Sequence, residues 1–188
     1  MPSGKTHDRI TLWSLPWVVV LALLLTRNGN LSLIVAGAFL FSGLMFGPDL
    51  DIYSVQFKRW GILRIIWLPY QNLVRHRSLI SHGLIIGTIA RSIYLLSFLS
   101  LLGVFAITIA QLIAGFYWNW QEFAQILVNS ASKDYRQESI ALFVGLELGA
   151  TSHTLSDAID STYKRYQKNN NQPQQKKKSR RKPTRRRK

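Results

Sequence analysis

Apolar residues along the chain gather in four long runs that are separated by polar or mixed segments. Residues 10–26, 31–46 and 92–116 are each long and apolar enough to cross the hydrocarbon core of a membrane as a helix, the first being at the short end of that range. The fourth run, residues 139–157, starts apolar and ends polar, which suits a helix whose second half faces protein or a wet cavity. The pattern therefore predicts an all-α integral membrane bundle of about four spans.

The connector between the second and third runs, residues 48–83, mixes basic, aliphatic and aromatic side chains. The alternation that begins at Lys58, Arg59 and Trp60 is typical of an amphipathic helix that lies at the membrane interface. Pro69 is expected to end this helix, because proline breaks a helix interior. The alternative is a helix that is buried beneath the bundle.

Charge is distributed unevenly along the chain. The chain contains 24 Lys and Arg against 9 Asp and Glu, a net charge of +15, and 13 of the bases but none of the acids lie in residues 164–188. This low-complexity stretch has no aliphatic side chain, which is typical of disorder. We therefore predict a helical membrane domain over residues 1–163 and a disordered basic tail over residues 164–188. The tail is either a solvated topological signal or a binding segment for anionic lipid or nucleic acid.

The basic residues also predict an orientation in the membrane. With four spans, both termini lie on one side, together with the five bases of the connector and the tail. The opposite side carries only Arg27, Lys133 and Arg136. By the positive-inside rule, both termini are cytoplasmic, in a bacterial inner membrane or a thylakoid-type membrane.

All four histidines of the chain lie on the cytoplasmic side of this topology, close to aspartates at the ends of the apolar runs. His153 and Asp157 are one helical turn apart and therefore share a helix face. His76 and His82 can converge if the helix breaks at Ser81. Because the chain has no cysteine, these side chains favour zinc, with manganese or iron as alternatives. The candidate metal ligands are His7, Asp49, Asp51, His76, His82, His153 and Asp157.

Neighbouring charged residues extend the predicted site beyond the metal ligands. Asp51 and Asp8 are candidates for a general acid or base beside a metal ion that has an open position. Arg75 and Arg77 flank His76 and are candidates for holding an anionic substrate. Two functions remain open. One is a membrane-embedded metal-dependent hydrolase of a phosphoester or lipid; the other is a non-catalytic metal-binding scaffold whose tail recruits anionic lipid, nucleic acid or protein partners.

Four short motifs resemble those of a family of metal-binding membrane proteins common in cyanobacteria, over roughly residues 1–160. In chain order the motifs are PSGKTHD from Pro2, GPDLD from Gly47, RHRSLISH from Arg75 and HTLSD from His153. The resemblance implies that His7, Asp49, Asp51, His76, His82 and His153 bind metal. The Asp-x-Asp and histidine motifs are also similar, more distantly, to those of inner-membrane metal-dependent hydrolases, a group thought to be related to all-helical zinc phospholipases and nucleases. This second resemblance implies metal-dependent hydrolysis, and neither resemblance supplies a substrate.

Overall fold

A computed structural model describes the backbone of residues 4–76 and 78–179, and the side chains of this region as far as residue 168. Arg77 and residues 180–188 of the basic tail therefore lie outside the described residues. The described part contains eight α-helices and no strand, which confirms the all-α prediction. The helices are α1 (Gly4–Thr26), α2 (Gly29–Leu44), α3 (Val55–Arg59), α4 (Leu68–Leu73), α5 (Leu79–His82), α6 (Ile86–Ala114), α7 (Trp120–Asn129) and α8 (Arg136–Ser179).

Three segments are long and apolar enough to cross a membrane, namely α1, the stretch Gly29–Asp51 that includes α2, and α6. They correspond to the first three apolar runs of the sequence. We consider the most apolar stretch of 18 residues in each helix. The rest of the described chain buries 11% of this stretch in α1 and none of it in α6. The predicted fourth span, residues 139–157, lies within α8 and is not one of these three segments. The total of four spans stays a prediction.

Helices α2 and α8 pack closely because two glycines on one face of α8 lie against α2. A Cβ atom added to Gly145 would lie 2.5 Å from the carbonyl oxygen of Val35. A Cβ atom added to Gly149 would lie 2.6 Å from the carbonyl oxygen of Phe39. Small residues spaced by four positions allow two helix backbones to approach each other in this way. The contact places His153, one turn further along α8, beside the end of α2.

Replacing Gly149 with alanine should weaken this helix contact. The new methyl group would meet backbone atoms of α2, so one helix must shift, at a cost of about 1–3 kcal/mol in the free energy of unfolding. The matched control is Gly37→Ala in α2, where an added Cβ atom meets no other atom within 4 Å. Thermal unfolding in detergent should show a lower transition temperature for G149A only. Equal transition temperatures for the two variants would contradict the close packing.

The connector is a series of short helices rather than the single amphipathic helix that the sequence pattern predicts. Gly61 has a positive φ of 56°, which interrupts helical geometry after α3. Pro69 lies in the first turn of α4 instead of ending a helix. Proline is tolerated there because the N–H groups of the first turn have no partner within the helix. The apolar side chains divide between two environments: Trp67 is 0% exposed, whereas Ile62 is 87% exposed. Part of the connector is therefore buried beneath the bundle, and the location of the exposed part at a membrane interface stays a prediction.

An aromatic core holds the connector against the end of α2. The buried residues of this core are Phe46, Leu50, Phe57, Trp67 and Tyr70. The ring of Trp67 lies 5.2–5.7 Å from four other aromatic rings, those of Phe46, Trp60, Tyr70 and Tyr94. Burial raises the pKa of the Tyr70 hydroxyl, while the nearby Arg91 guanidinium acts in the opposite direction. The core fixes the turn that follows α2, and that turn carries Asp49 and Asp51.

Helix α8 continues past residue 164, where the basic segment begins. The sequence pattern predicts disorder from this residue, whereas the backbone is helical as far as Ser179. The physical reason is that Lys, Arg and Gln favour helices and that lengthening an existing helix requires no new nucleus. The described backbone therefore shows no break in α8 at residue 164, where the basic segment begins. The division into a domain of residues 1–163 and a separate tail stays a prediction.

Candidate metal centre

Four segments of the chain bring histidine or aspartate side chains to the same end of the bundle. They are the first turn of α1, the 3-10 turn Pro48–Asp51 after α2, the segment from His76 to the end of α5, and the middle of α8. All seven side chains that the sequence predicts as metal ligands lie together there: His7, Asp49, Asp51, His76, His82, His153 and Asp157. The convergence follows from helices that run back and forth between the two ends of the bundle.

These seven side chains form three overlapping triads. Within each triad, one nitrogen or oxygen atom from each residue lies within 4.8 Å of the others. The first triad is His7, His153 and Asp157; the second is Asp51, His76 and His82; the third is Asp49, His82 and Asp157. The first two triads share no residue, and the third connects them.

The distances between donor atoms agree with those of atoms that share one metal ion. Nδ1 of His76 lies 3.0 Å from Oδ1 of Asp51, and Nε2 of His153 lies 3.3 Å from Oδ2 of Asp49. Two donors that bind one ion at about 2.1 Å, roughly 90–110° apart, are separated by about 3.0–3.4 Å. The side chains therefore already have the spacing that a small divalent ion needs.

Several donor atoms are buried and make no hydrogen bond within the described part of the chain. They are both ring nitrogens of His153, Nε2 of His82, and one carboxylate oxygen each of Asp49 and Asp157. His153 is only 4% exposed, so water has little access to its ring. Leaving a buried polar group unpaired costs about 1–3 kcal/mol. A divalent ion would use one ring nitrogen of each histidine and the free carboxylate oxygens, and the residues present therefore fit a metal with nitrogen and oxygen ligands.

A hydroxyl group sets the protonation state of His7. Ser156 donates its only hydroxyl proton to the carbonyl oxygen of His153, 2.8 Å away. Its oxygen therefore accepts a hydrogen bond from Nδ1 of His7, at 2.7 Å. The second ring nitrogen, Nε2, then carries a lone pair and lies 3.4 Å from Oδ1 of Asp157. This neutral form of the imidazole is the form that binds metal ions.

Replacing Ser156 with alanine should lower metal affinity by about 10–100-fold, because the partner that orients a metal-binding histidine is lost. Ser152→Ala is the matched control, since the Ser152 hydroxyl donates to the carbonyl oxygen of Gly149 in its own helix and contacts none of the predicted ligands among the described hydrogen bonds. Competition with a metal-chelating dye measures the two dissociation constants. An unchanged constant for S156A would contradict the role assigned to Ser156.

The two histidines of the connector meet because the chain turns before α5. The sequence pattern predicts a break with Ser81 as the helix cap, whereas Ser78 caps α5 by accepting a hydrogen bond from the Ser81 amide. The rings of His76 and His82 consequently lie 5.1 Å apart. The buried guanidinium of Arg91 donates to the Ser81 carbonyl oxygen at 2.8 Å and so holds this turn. Neither Ser78 nor Arg91 can be assigned this role from the sequence, because both contacts depend on how the turn folds.

The predicted acid–base and anion-binding residues occupy different positions. Asp51 lies inside the ligand cluster and is hydrogen-bonded to His76. Asp8 lies outside the three triads and accepts a hydrogen bond from Nη1 of Arg59 at 2.9 Å, which ties α1 to α3. Arg75 is exposed, and Arg77 lies outside the described residues. Their catalytic and anion-binding roles stay predictions.

A cavity of about 250 Å³ adjoins the ligand cluster. One wall is formed by ligands of the first triad and by Asp49, and another by Tyr53, Lys58 and Arg59. The ammonium group of Lys58 lies 4.8 Å from the centre of the Tyr53 ring. The sequence indicates Lys58 and Arg59 only as basic residues of the connector. Their place beside the cluster depends on the turn at residues 52–54, which has no clear signature in the sequence.

The fold and the site together define a class, an all-helical protein with three apolar helices of membrane-spanning length and a His/Asp cluster whose geometry fits a metal ion. Residues 2–167 match the family described as uncharacterized metal-binding protein (DUF2227), and the chain belongs to this family. The family supports the predictions of metal binding and of a metal cofactor. A relative is an uncharacterized protein of Aquifex aeolicus (strain VF5), which is 34% identical over 58 residues. That match spans 30% of this chain and 40% of the relative. No solved structure matches the chain.

Proposed function

We propose that the protein is an integral membrane metalloenzyme that hydrolyses a phosphoester or a lipid, with zinc as its metal and manganese or iron as alternatives. The observation that carries the proposal is the cavity beside the ligand cluster. This cavity has buried donor atoms of His153 and Asp49 on one wall and the cationic side chain of Lys58 on another. A metal site that adjoins a cavity lined by a lysine suits an anionic substrate, because the divalent ion and the lysine would both attract it.

Exposed apolar surface supports the membrane location. In α6, Leu112 and Ile113 are each 82% exposed and Leu101 is 69% exposed. Soluble monomeric proteins rarely expose contiguous apolar patches of this kind, whereas lipid would cover them favourably. The proposed topology has four spans, of which the first half of α8 is the last, and both termini are cytoplasmic. The metal centre then lies at the cytoplasmic end of the bundle.

The chain's own residues account for binding and proton transfer in the proposed reaction. A divalent ion bound at this site would polarise a phosphoryl or carbonyl oxygen and supply hydroxide near neutral pH. Lys58 would neutralise the anionic group of the substrate. Asp8 lines the same cavity, where Arg59 holds its carboxylate in place, and it is the proposed general base. Asp51 would hold the ion together with His76 and His82.

Hydrolysis can be tested on full-length protein loaded with zinc, manganese or iron in detergent. The substrates are p-nitrophenyl phosphate, its diester and vesicles of phosphatidic acid. We expect metal-dependent turnover, with a KM about 10-fold higher in Lys58→Ala because one charge contact to the substrate is lost. Lys164→Ala is the matched control, because Lys164 pairs with Asp160 on the exposed surface of α8. Absence of turnover by metal-loaded protein on all three substrates would overturn the proposed hydrolysis.

The basic tail supports a second candidate function, a metal-binding scaffold that recruits anionic lipid. The tail holds 13 of the 24 basic residues of the chain, and such segments bind anionic membranes in a salt-dependent manner. Removing residues 167–188 should abolish salt-sensitive clustering of anionic vesicles by reconstituted protein while leaving metal content unchanged. Vesicle clustering that survives the truncation would contradict this role. Binding of RNA by the full-length protein, in place of vesicle clustering, would indicate a nucleic-acid partner.

A further inference from the structure

We infer that the centre holds two divalent ions, which are bridged by the carboxylate of Asp49. The inference rests on the metal binding proposed above and adds the number of ions and their arrangement. Each of the first two triads consists of two histidines and one aspartate. They are His7, His153 and Asp157 in the first triad, and His76, His82 and Asp51 in the second. Because these triads share no residue, each can surround its own ion.

Asp49 lies between the two triads, and each of its oxygens faces a different one. Oδ1 lies 3.7 Å from Nε2 of His82 in the second triad. Oδ2 lies 3.3 Å from Nε2 of His153 in the first triad. A carboxylate placed in this way can donate one oxygen to each ion, and two ions in such centres lie about 3.5–4 Å apart.

The number of donors exceeds what one ion can use. Zinc in proteins takes about four ligands, and each triad together with one oxygen of Asp49 supplies that number. Donor atoms without hydrogen bonds occur on both sides, since the ring nitrogens of His153 belong to the first triad and Nε2 of His82 to the second. A single ion would leave one of these groups buried without a partner.

The charge of the cluster also favours two ions. The cluster contains three carboxylates and four imidazoles, and the imidazoles are neutral when they bind metal. One divalent ion would leave a net negative charge at a partly buried site, which would repel an anionic substrate. Two divalent ions leave one positive charge, which attracts such a substrate. Two adjacent ions are typical of centres that act on phosphate esters, so the inference selects the phosphoester over the carboxylic ester of a lipid.

The test uses full-length protein in detergent that is stripped of metal with a chelator and then titrated with Mn²⁺. We expect two bound Mn²⁺ ions per chain and an electron paramagnetic resonance spectrum that shows exchange coupling between them. His76→Gln and His7→Gln should each bind one ion and lose the coupling. The matched control is Asp160→Asn, one helical turn beyond Asp157 in α8, which should bind two coupled ions as the wild type does.

The wild-type measurement alone decides the proposal, even where a variant does not fold. One Mn²⁺ ion per chain would overturn the two-ion centre while leaving metal binding and hydrolysis intact. Two ions without exchange coupling would overturn the bridge by Asp49. A protein that binds two coupled ions but hydrolyses no phosphoester would retain the two-ion centre and contradict the proposed activity. A protein that binds no ion would overturn both proposals.

Discussion

Replacing His153 with alanine should greatly reduce the dependence of thermal stability on bound metal. A ligand present at 100 times its dissociation constant stabilises the folded state by about 2.7 kcal/mol, which corresponds to roughly 5–10 °C for a chain of this size. We therefore expect a chelator to lower the transition temperature of the wild type by this amount. The H153A variant should show a smaller chelator effect than the wild type, because the ion held by the first triad is already lost.

The control for this experiment is Thr154→Ala on the adjacent position of α8. The hydroxyl of Thr154 donates only to the carbonyl oxygen of Ala150 in the same helix, so T154A should keep the full chelator effect. A chelator effect of wild-type size in H153A would contradict the role of His153 as a ligand. Asp157→Asn should give an intermediate result, with metal affinity lowered by about 10–100-fold, because a neutral amide oxygen replaces the charged carboxylate in the first triad.

Replacing Trp67 with alanine should cause a comparably large loss of stability by a different route. Trp67 is 0% exposed, and deleting a buried aromatic side chain of this size costs about 3–5 kcal/mol in the free energy of unfolding. The resulting cavity would loosen the connector, which carries four of the predicted ligands. We therefore expect metal affinity to fall together with stability, even though Trp67 lies outside the ligand cluster.

Trp17→Ala provides the comparison for the Trp67 variant. The Trp17 side chain is 77% exposed, so its removal from detergent-solubilised protein should change the free energy of unfolding by at most about 0.5 kcal/mol. Thermal and denaturant unfolding measure both variants. A W67A protein that unfolds like W17A would show that the aromatic core does not support the connector.

The predicted ligand set depends on the most reliable feature of the sequence, the ends of the apolar runs. Each candidate ligand lies at or near such an end, and helices that run back and forth bring those ends together. His153 and Asp157 require only the periodicity of a helix to share a face. For these reasons all seven predicted ligands lie in one cluster, although the sequence contains no contact information.

The parts that the sequence does not predict depend on local turns and on contacts between distant segments. The positive φ of Gly61 and the cap at Ser78 divide the connector into short helices, which a pattern of apolar and basic residues does not reveal. Lys58 reaches the cavity only because the chain turns back after Asp51. The role of Ser156 has a weaker signal, since it lies three residues after His153 and therefore near it on the helix.

Elemental analysis of full-length protein, purified in detergent without chelator, tests the central claim most directly. We predict a stoichiometric content of zinc, manganese or iron in the wild type and a reduced content of that metal in His153→Ala and in His82→Ala. A wild-type protein that is free of divalent metal, or alanine variants that keep the full content, would contradict the claim that the His/Asp cluster is a metal centre.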